Sequence, residues 1–141
     1  HTPDALERCI KDMRGLGAEK VITVFGCGGD RDRSKRPLMA RAVAENSDLA
    51  VATSDNPRTE EPAAIRRDII VACPGAVEIE GRGEAIAAAI AELRDDDLLL
   101  IAGKGHEQDQ SIAGQMIPFD DGEVARRAVL AQSLVPSRIS P

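Results

Sequence analysis

The apolar positions along this chain fall into two alternating rhythms. Ala5, Leu6, Cys9, Ile10 and Met13 recur at three- and four-residue steps, the period of an amphipathic helix. Thr2 and Pro3 suit the N-cap and first turn of that helix, and Gly15 and Gly17 end it. Residues 20–25 are a β-branched apolar run and read as a strand. A helix follows from about residue 37, with Leu38, Met39, Ala42 and Val43 inward, and then a strand at 48–53. Pro62 opens a helix with Ile65, Ile69 and Ala72 on one face, stopped by Pro74 and Gly75. A short strand at 77–79, a helix marked by Ile86, Ile90 and Leu93, and a strongly apolar strand at 97–102 come next. Residues 103–111 read as a polar loop, and residues 116–119 as a short antiparallel edge strand. Val124, Ala128, Ala131 and Val135 mark a last helix, and the tail after Pro136 reads as frayed.

Strands written as continuous apolar runs, each separated from the next by a helix, imply a parallel sheet buried on both faces. The predicted fold is therefore α/β, a Rossmann-like, mostly parallel sheet with helices on both sides. The length of 141 residues fits one domain spanning 1–141. Phe25 and Phe119 are the only aromatic residues, so the core must be built from Ala, Val, Ile and Leu. A helix start lies directly at the first residues, so the chain reads as a piece of a longer protein.

Charge narrows the function. Eighteen basic and 24 acidic residues give a net charge of −6, which argues against a nucleic-acid partner. There is no run of 18 apolar residues and no charged-then-apolar signal segment, so neither a membrane span nor export is expected, and the reading is cytoplasmic. Cys9, Cys27 and Cys73 lack metal-ligand or disulfide spacing. Cys9 and Cys73 read as small buried hydrophobes, and Cys27, in a Gly-rich loop, as accessible. No metal site is expected.

Three unusual loops each follow an apolar strand, and in a parallel sheet all three emerge at one edge, where ligands bind. The first, residues 26–35, combines Gly26, Gly28 and Gly29 with a positive patch of Arg31, Arg33, Lys35 and Arg36. It fits neither GxGxxG nor GxxxxGK[ST], which excludes a dinucleotide or P-loop assignment on spacing. The second is Asp55-Asn56-Pro57-Arg58. Pro57 stiffens the turn, and Arg58 offers a planar fork of donors suited to a carboxylate or phosphate. Taken alone, this segment is also an ordinary β-to-α turn, and the first loop also a solvated charged loop. The third runs Gly103-Lys104-Gly105-His106-Glu107, with a carboxylate suited to an ammonium group. Together the loops match a zwitterionic amino acid better than a nucleotide alone.

These three motifs, in this order, resemble the C-terminal domain of the Mur ligase family, in its diaminopimelate-adding branch. His1-Thr2-Pro3-Asp4-Ala5-Leu6 resembles the segment where that family's central domain hands over to the C-terminal one. The resemblance extends to about residue 135. It implies an ATP-dependent ligase of peptidoglycan synthesis, in which a peptide carboxylate is phosphorylated and an incoming amine attacks it. It further implies that Arg58 and Arg31, helped by Asn56, bind the distal carboxylate of meso-diaminopimelate, that Gly103 and Glu107 hold its distal amino group, and that Asp55 is among the residues that bind the amino acid. His1 and Asp30 would lie near the nucleotide. The domains that hold ATP, Mg2+ and the UDP-muramyl dipeptide are absent, so no cofactor is expected on this piece alone and no catalytic residue within it. Two other readings stay open: a stand-alone, non-catalytic Rossmann-like binding module, and a scaffold that captures a partner through residues 31–36.

Overall fold

The computed structural model describes residues 2–104 and 107–134. His1, His106, Val135 and the tail after Pro136 lie outside the described residues. The elements run in the order α1 (Pro3–Gly15), β1 (Val21–Phe25), α2 (Lys35–Asn46), β2 (Leu49–Ala52), α3 (Pro62–Ala72) and β3 (Val77–Glu78). They continue with α4 (Arg82–Glu92), β4 (Leu98–Ile101), β5 (Asp109–Ile112), β6 (Gln115–Pro118) and α5 (Asp121–Leu134). Thr2 caps α1 as its residue type predicts, its hydroxyl accepting the Ala5 N–H at 3.1 Å. Glu61 does the same for α3, where Pro62 takes the first turn.

Four strands form one sheet in the order β3-β2-β1-β4, and every pairing in it is parallel. The registers Thr23↔Ala50 and Thr23↔Leu100 put the C-terminal ends of β1, β2 and β4 level. Alternate residues then serve opposite cores. Val21, Phe25, Ala50 and Ala52 pack against Leu6 and Ile10 of α1, Met39 and Val43 of α2, and Ile65 and Ile69 of α3. Ile22, Val24 and Val51 pack against Ala85, Ile86, Ala89 and Ile90 of α4, with Val124, Ala125 and Ala128 of α5 beside them. Three helices thus cover one face and two the other, and Phe25 and Phe119 are the aromatic residues of these otherwise Ala-, Val-, Ile- and Leu-rich cores.

The strand at 116–119 is antiparallel, but it does not join the main sheet. It falls at 115–118 and pairs with β5 as a separate hairpin, from Asp109↔Pro118 to Ile112↔Gln115. Residues 109–112, Asp-Gln-Ser-Ile, carry no apolar alternation, so their polarity reads as loop. Their pairing partners, not their own composition, make them a strand. The turn between them, Ala113-Gly114, has φ of +52° and +77°, the two positive values of a tight hairpin turn.

Three burial expectations are corrected. Leu38 is 48% exposed, because Arg36 rather than Leu38 turns inward at the start of α2. Cys9 is exposed, because α1 presents Leu6 and Ile10 to the sheet and leaves Cys9 off that face. Cys27 is buried, and desolvation pushes its thiol up to about 12, so it is neither accessible nor a thiolate near neutrality. No helix among the described residues is long and apolar enough to cross a membrane.

Candidate functional site

The loops after β1, β2 and β4 meet at the C-terminal edge of the sheet. The first two are in direct backbone contact. Gly29 N–H donates to the Asn56 carbonyl at 2.8 Å. A Cβ on Gly26 would lie 2.5 Å from the Thr53 carbonyl oxygen, and one on Gly29 would collide with that of Pro57. These glycines therefore admit the close approach of the neighbouring loop.

Two non-glycine residues at this junction sit in the left-handed region, Asp30 at φ +55° and Arg58 at φ +54°. Such backbone persists only where the surroundings over-determine it. Here they do. The Asp30 carboxylate accepts the Thr59 N–H at 3.2 Å and its hydroxyl at 2.7 Å, while the Asp30 N–H donates to Glu60 Oε2 at 2.6 Å. Arg58 is gripped by the hairpin: its N–H donates to the Ser111 carbonyl at 2.9 Å and its carbonyl accepts the Ala113 N–H at 2.8 Å. The Arg58 side chain then crosses to the first loop, NH1 donating to the Gly29 carbonyl at 2.9 Å. Among the described residues its remaining donors have no partner, so most of the fork faces the site.

The positive patch is smaller than its sequence suggests. Arg36 is 2% exposed and belongs to the framework. It donates to Glu60 at 2.7 Å, to Asp68 at 3.1 Å and to the Gly28 carbonyl at 3.1 Å. Burial pulls the Arg36 pKa down, but the hydrogen bonds it donates to the Glu60 and Asp68 carboxylates outweigh that and the net shift is upward. Glu60 is correspondingly held below the usual carboxylate range, first by Arg36 and then by the Asp30 N–H. Asp30 is lowered by its hydrogen bonds to Thr59. Arg31 and Lys35 remain exposed and line, with Arg58, Asp55, Cys27 and Met39, a cavity of about 320 Å³. That is the lower end of the range for small-molecule pockets.

Depressed carboxylate pKa values stabilise the fold above the unfolded-state values and lose that contribution as pH falls through the folded ones. The unfolding temperature should therefore be flat from neutrality to about pH 5 and drop as pH falls below roughly 4. A pH series of thermal melts checks this. Glu60→Gln should flatten the acid slope, and an unchanged slope would contradict the role given to Glu60.

The third loop docks on the second through Asn56, which is 6% exposed. Asn56 Oδ1 accepts the Ser111 N–H at 2.8 Å and Lys104 Nζ at 3.3 Å, and its Nδ2 donates to Glu107 Oε2 at 3.4 Å. Gln110 Nε2 donates to the Asp55 carbonyl at 2.8 Å. Gly103, at φ +111°, packs against the Asp55 carboxyl, 3.5 Å from where its Cβ would stand. Behind the site, Arg82 holds two strand ends together by donating to the Ser54 and Ala102 carbonyls, both at 3.1 Å.

Of the residues singled out from sequence, Arg31, Asp55 and Arg58 share the cavity wall. Asn56 and Glu107 are bonded to each other, and Gly103 adjoins Asp55. Asp30 faces Thr59 rather than the cavity, and His1 lies outside the described residues. Glu60, Gln110 and Ser111 join the network with no mark in the sequence. Arg36, read as part of the positive patch, and Lys104, within the third motif, are both buried and serve the framework instead of offering free charge. Among the described residues no three His, Cys, Asp or Glu side chains converge to hold a metal ion.

The family profile described as Mur ligase, glutamate ligase domain, matches residues 1–105. The chain is 54% identical over 121 residues to the UDP-N-acetylmuramoyl-L-alanyl-D-glutamate–2,6-diaminopimelate ligase of Caulobacter vibrioides, covering 86% of this chain and 25% of that protein. It is 50% identical over 132 residues to the ligase of the same name from Bacillus licheniformis, covering 92% of this chain and 27% of that protein. A solved structure of such a ligase superimposes with a TM-score of 0.89 at 42% identity, over 96% of this chain and 28% of that one. The chain thus spans about a quarter of the length of the curated relatives it matches. The profile match over residues 1–105 of 141, the relatives and the shared fold agree, and the chain belongs to the Mur ligase family through its glutamate ligase domain.

Proposed function

We propose that this chain is the amino-acid-binding domain of an ATP-dependent ligase that adds meso-diaminopimelate to UDP-N-acetylmuramoyl-L-alanyl-D-glutamate, in the cytoplasm of a bacterium. The observation that carries the reading is the meeting of three strand-end loops at one sheet edge, with a small cavity lined by the first two and the third docked on the second through Asn56. Arg58, held in a left-handed conformation from both sides, turns a largely free guanidinium toward the cavity that Arg31 also lines. Two guanidinium forks suit the distal carboxylate of the amino acid. Across the junction, Glu107 is bonded to Asn56 and suits the distal ammonium, with Gly103 and Asp55 between. Asp30 serves the backbone of the loop, and a role near the nucleotide for Asp30 and His1 rests on resemblance alone.

ATP and Mg2+ belong, in this reading, to the rest of the enzyme. ATP, when bound, activates the peptide carboxylate toward the amine. The work of this domain is to bind the diaminopimelate, orient its reacting amine and bring it over the other substrates by domain closure. UDP-muramyl dipeptide is met through the rest of the enzyme.

The test is a ligation assay with ATP, UDP-muramyl dipeptide and diaminopimelate. The full-length enzyme should form the extended peptide, and the 141 residues alone should form none. Product from the 141 residues alone would overturn the division of labour, and no product from the full-length enzyme would overturn the substrate assignment.

A further inference from the structure

The third loop holds a buried charge that the binding scheme above does not use. Lys104 is 2% exposed. Its ammonium donates to Asn56 Oδ1 at 3.3 Å and to the Asp109 carbonyl, and among the described residues no carboxylate pairs with it. A lysine buried without an anion is rare and costly, so packing alone is a poor reason for it.

Its contacts decide which way the Asn56 amide faces. Lys104 Nζ and the Ser111 N–H are both donors, and both meet Oδ1. On the other side Glu107 Oε2 is an acceptor and meets Nδ2. With the amide turned round, two donors would face an NH2 group and a carboxylate would face a carbonyl oxygen. The orientation is thus set by the network on both sides. A positive charge on the oxygen side also polarises the amide and strengthens its N–H groups as donors toward Glu107.

We propose that Lys104 is a positioning residue for amino-acid recognition. Together with the Ser111 N–H it holds Asn56 Oδ1 inward, so that Nδ2 steadies the otherwise exposed Glu107 carboxylate at the edge of the site. Glu107 keeps its second oxygen for an ammonium group. This rests on the diaminopimelate reading above.

The test is a double-mutant cycle in the full-length ligase, reading kcat and the KM for each substrate. Lys104→Met should raise the KM for diaminopimelate roughly tenfold, with the KM for ATP unchanged. Asn56→Ala should do the same, and Lys104→Met should add less than about twofold in the Asn56→Ala background, because the pair acts as one unit. Fully multiplicative effects, or an unchanged KM in Lys104→Met, would overturn the positioning role. Glu107→Gln separates this role from the reading beneath it. If Glu107→Gln raises the KM for diaminopimelate and Lys104→Met does not, only the positioning role fails. If Glu107→Gln leaves the KM unchanged, the ammonium assignment fails and takes the inference with it. Should Lys104→Met not fold, Asn56→Asp asks the same question. It keeps an oxygen for Lys104 and Ser111 but sets a second oxygen against Glu107, so the KM should rise about tenfold or more. An unchanged KM there would show that Nδ2 does not face Glu107.

Discussion

Arg58→Ala in the full-length ligase should raise the KM for diaminopimelate by roughly tenfold to a hundredfold, the effect of losing one charge-assisted hydrogen bond of about 1.5–3 kcal/mol. The KM values for ATP and the UDP-muramyl dipeptide should stay within about twofold, because an interaction with one substrate alone is removed. The backbone at residue 58 is held by Ser111 and Ala113 through main-chain atoms, so the loop keeps its anchor when the side chain goes. What it loses is the link from NH1 to the Gly29 carbonyl and the free part of the fork. Arg58→Lys keeps the charge but not the planar fork and should fall between the two. An unchanged KM for diaminopimelate in Arg58→Ala would remove Arg58 from the substrate site.

The largest expected effect on stability lies behind the site, at Arg82. Its side chain is fully buried and forms a bidentate pair with Asp121, at 2.8 and 2.7 Å. Its other donors reach the Ser54 and Ala102 carbonyls, at the ends of β2 and β4. Arg82→Met keeps much of the volume but leaves the Asp121 carboxylate, 7% exposed, and two carbonyls without their donor. Removing one partner of a buried pair costs about 3–5 kcal/mol, against about 0–1 kcal/mol for an exposed one. Urea unfolding of the 141-residue chain measures the difference. A loss below about 1 kcal/mol would mean that Arg82 behaves like a surface residue. The exposed pairs of Glu123 with Arg126 and Arg127 on α5 should contribute little by the same reasoning.

Much of this molecule is legible in its sequence because the signals are local. The continuous runs at 21–25 and 98–101 fix parallel strands, and the pattern of Ile65 and Ile69 fixes the inward face of α3. Thr2, Pro3 and Pro62 mark helix starts through chemistry confined to a single turn. The three loops stand out because each breaks an apolar run with Gly, Pro and charge, and topology alone brings them together. What stays illegible is set by residues far apart in the chain. Arg36 looks like a free cation until Glu60 and Asp68, 24 and 32 positions away, enclose it. Strand β5 has no apolar pattern and exists because β6, Asn56 and Arg58 supply its partners. Cys27 looks accessible in a glycine-rich loop, but those glycines let the next loop close over it. The loops that meet at the sheet edge stand out by motif, and the network that holds them together does not.

The most direct measurement is the selectivity of the full-length enzyme between meso-diaminopimelate and lysine, which lacks only the distal carboxylate. If Arg58 and Arg31 read that carboxylate, kcat/KM for diaminopimelate should exceed that for lysine by about a hundredfold or more, and Arg58→Ala should close most of the gap. Equal kcat/KM values for the two amino acids, or a gap that survives Arg58→Ala, would contradict a carboxylate-reading pocket at these loops.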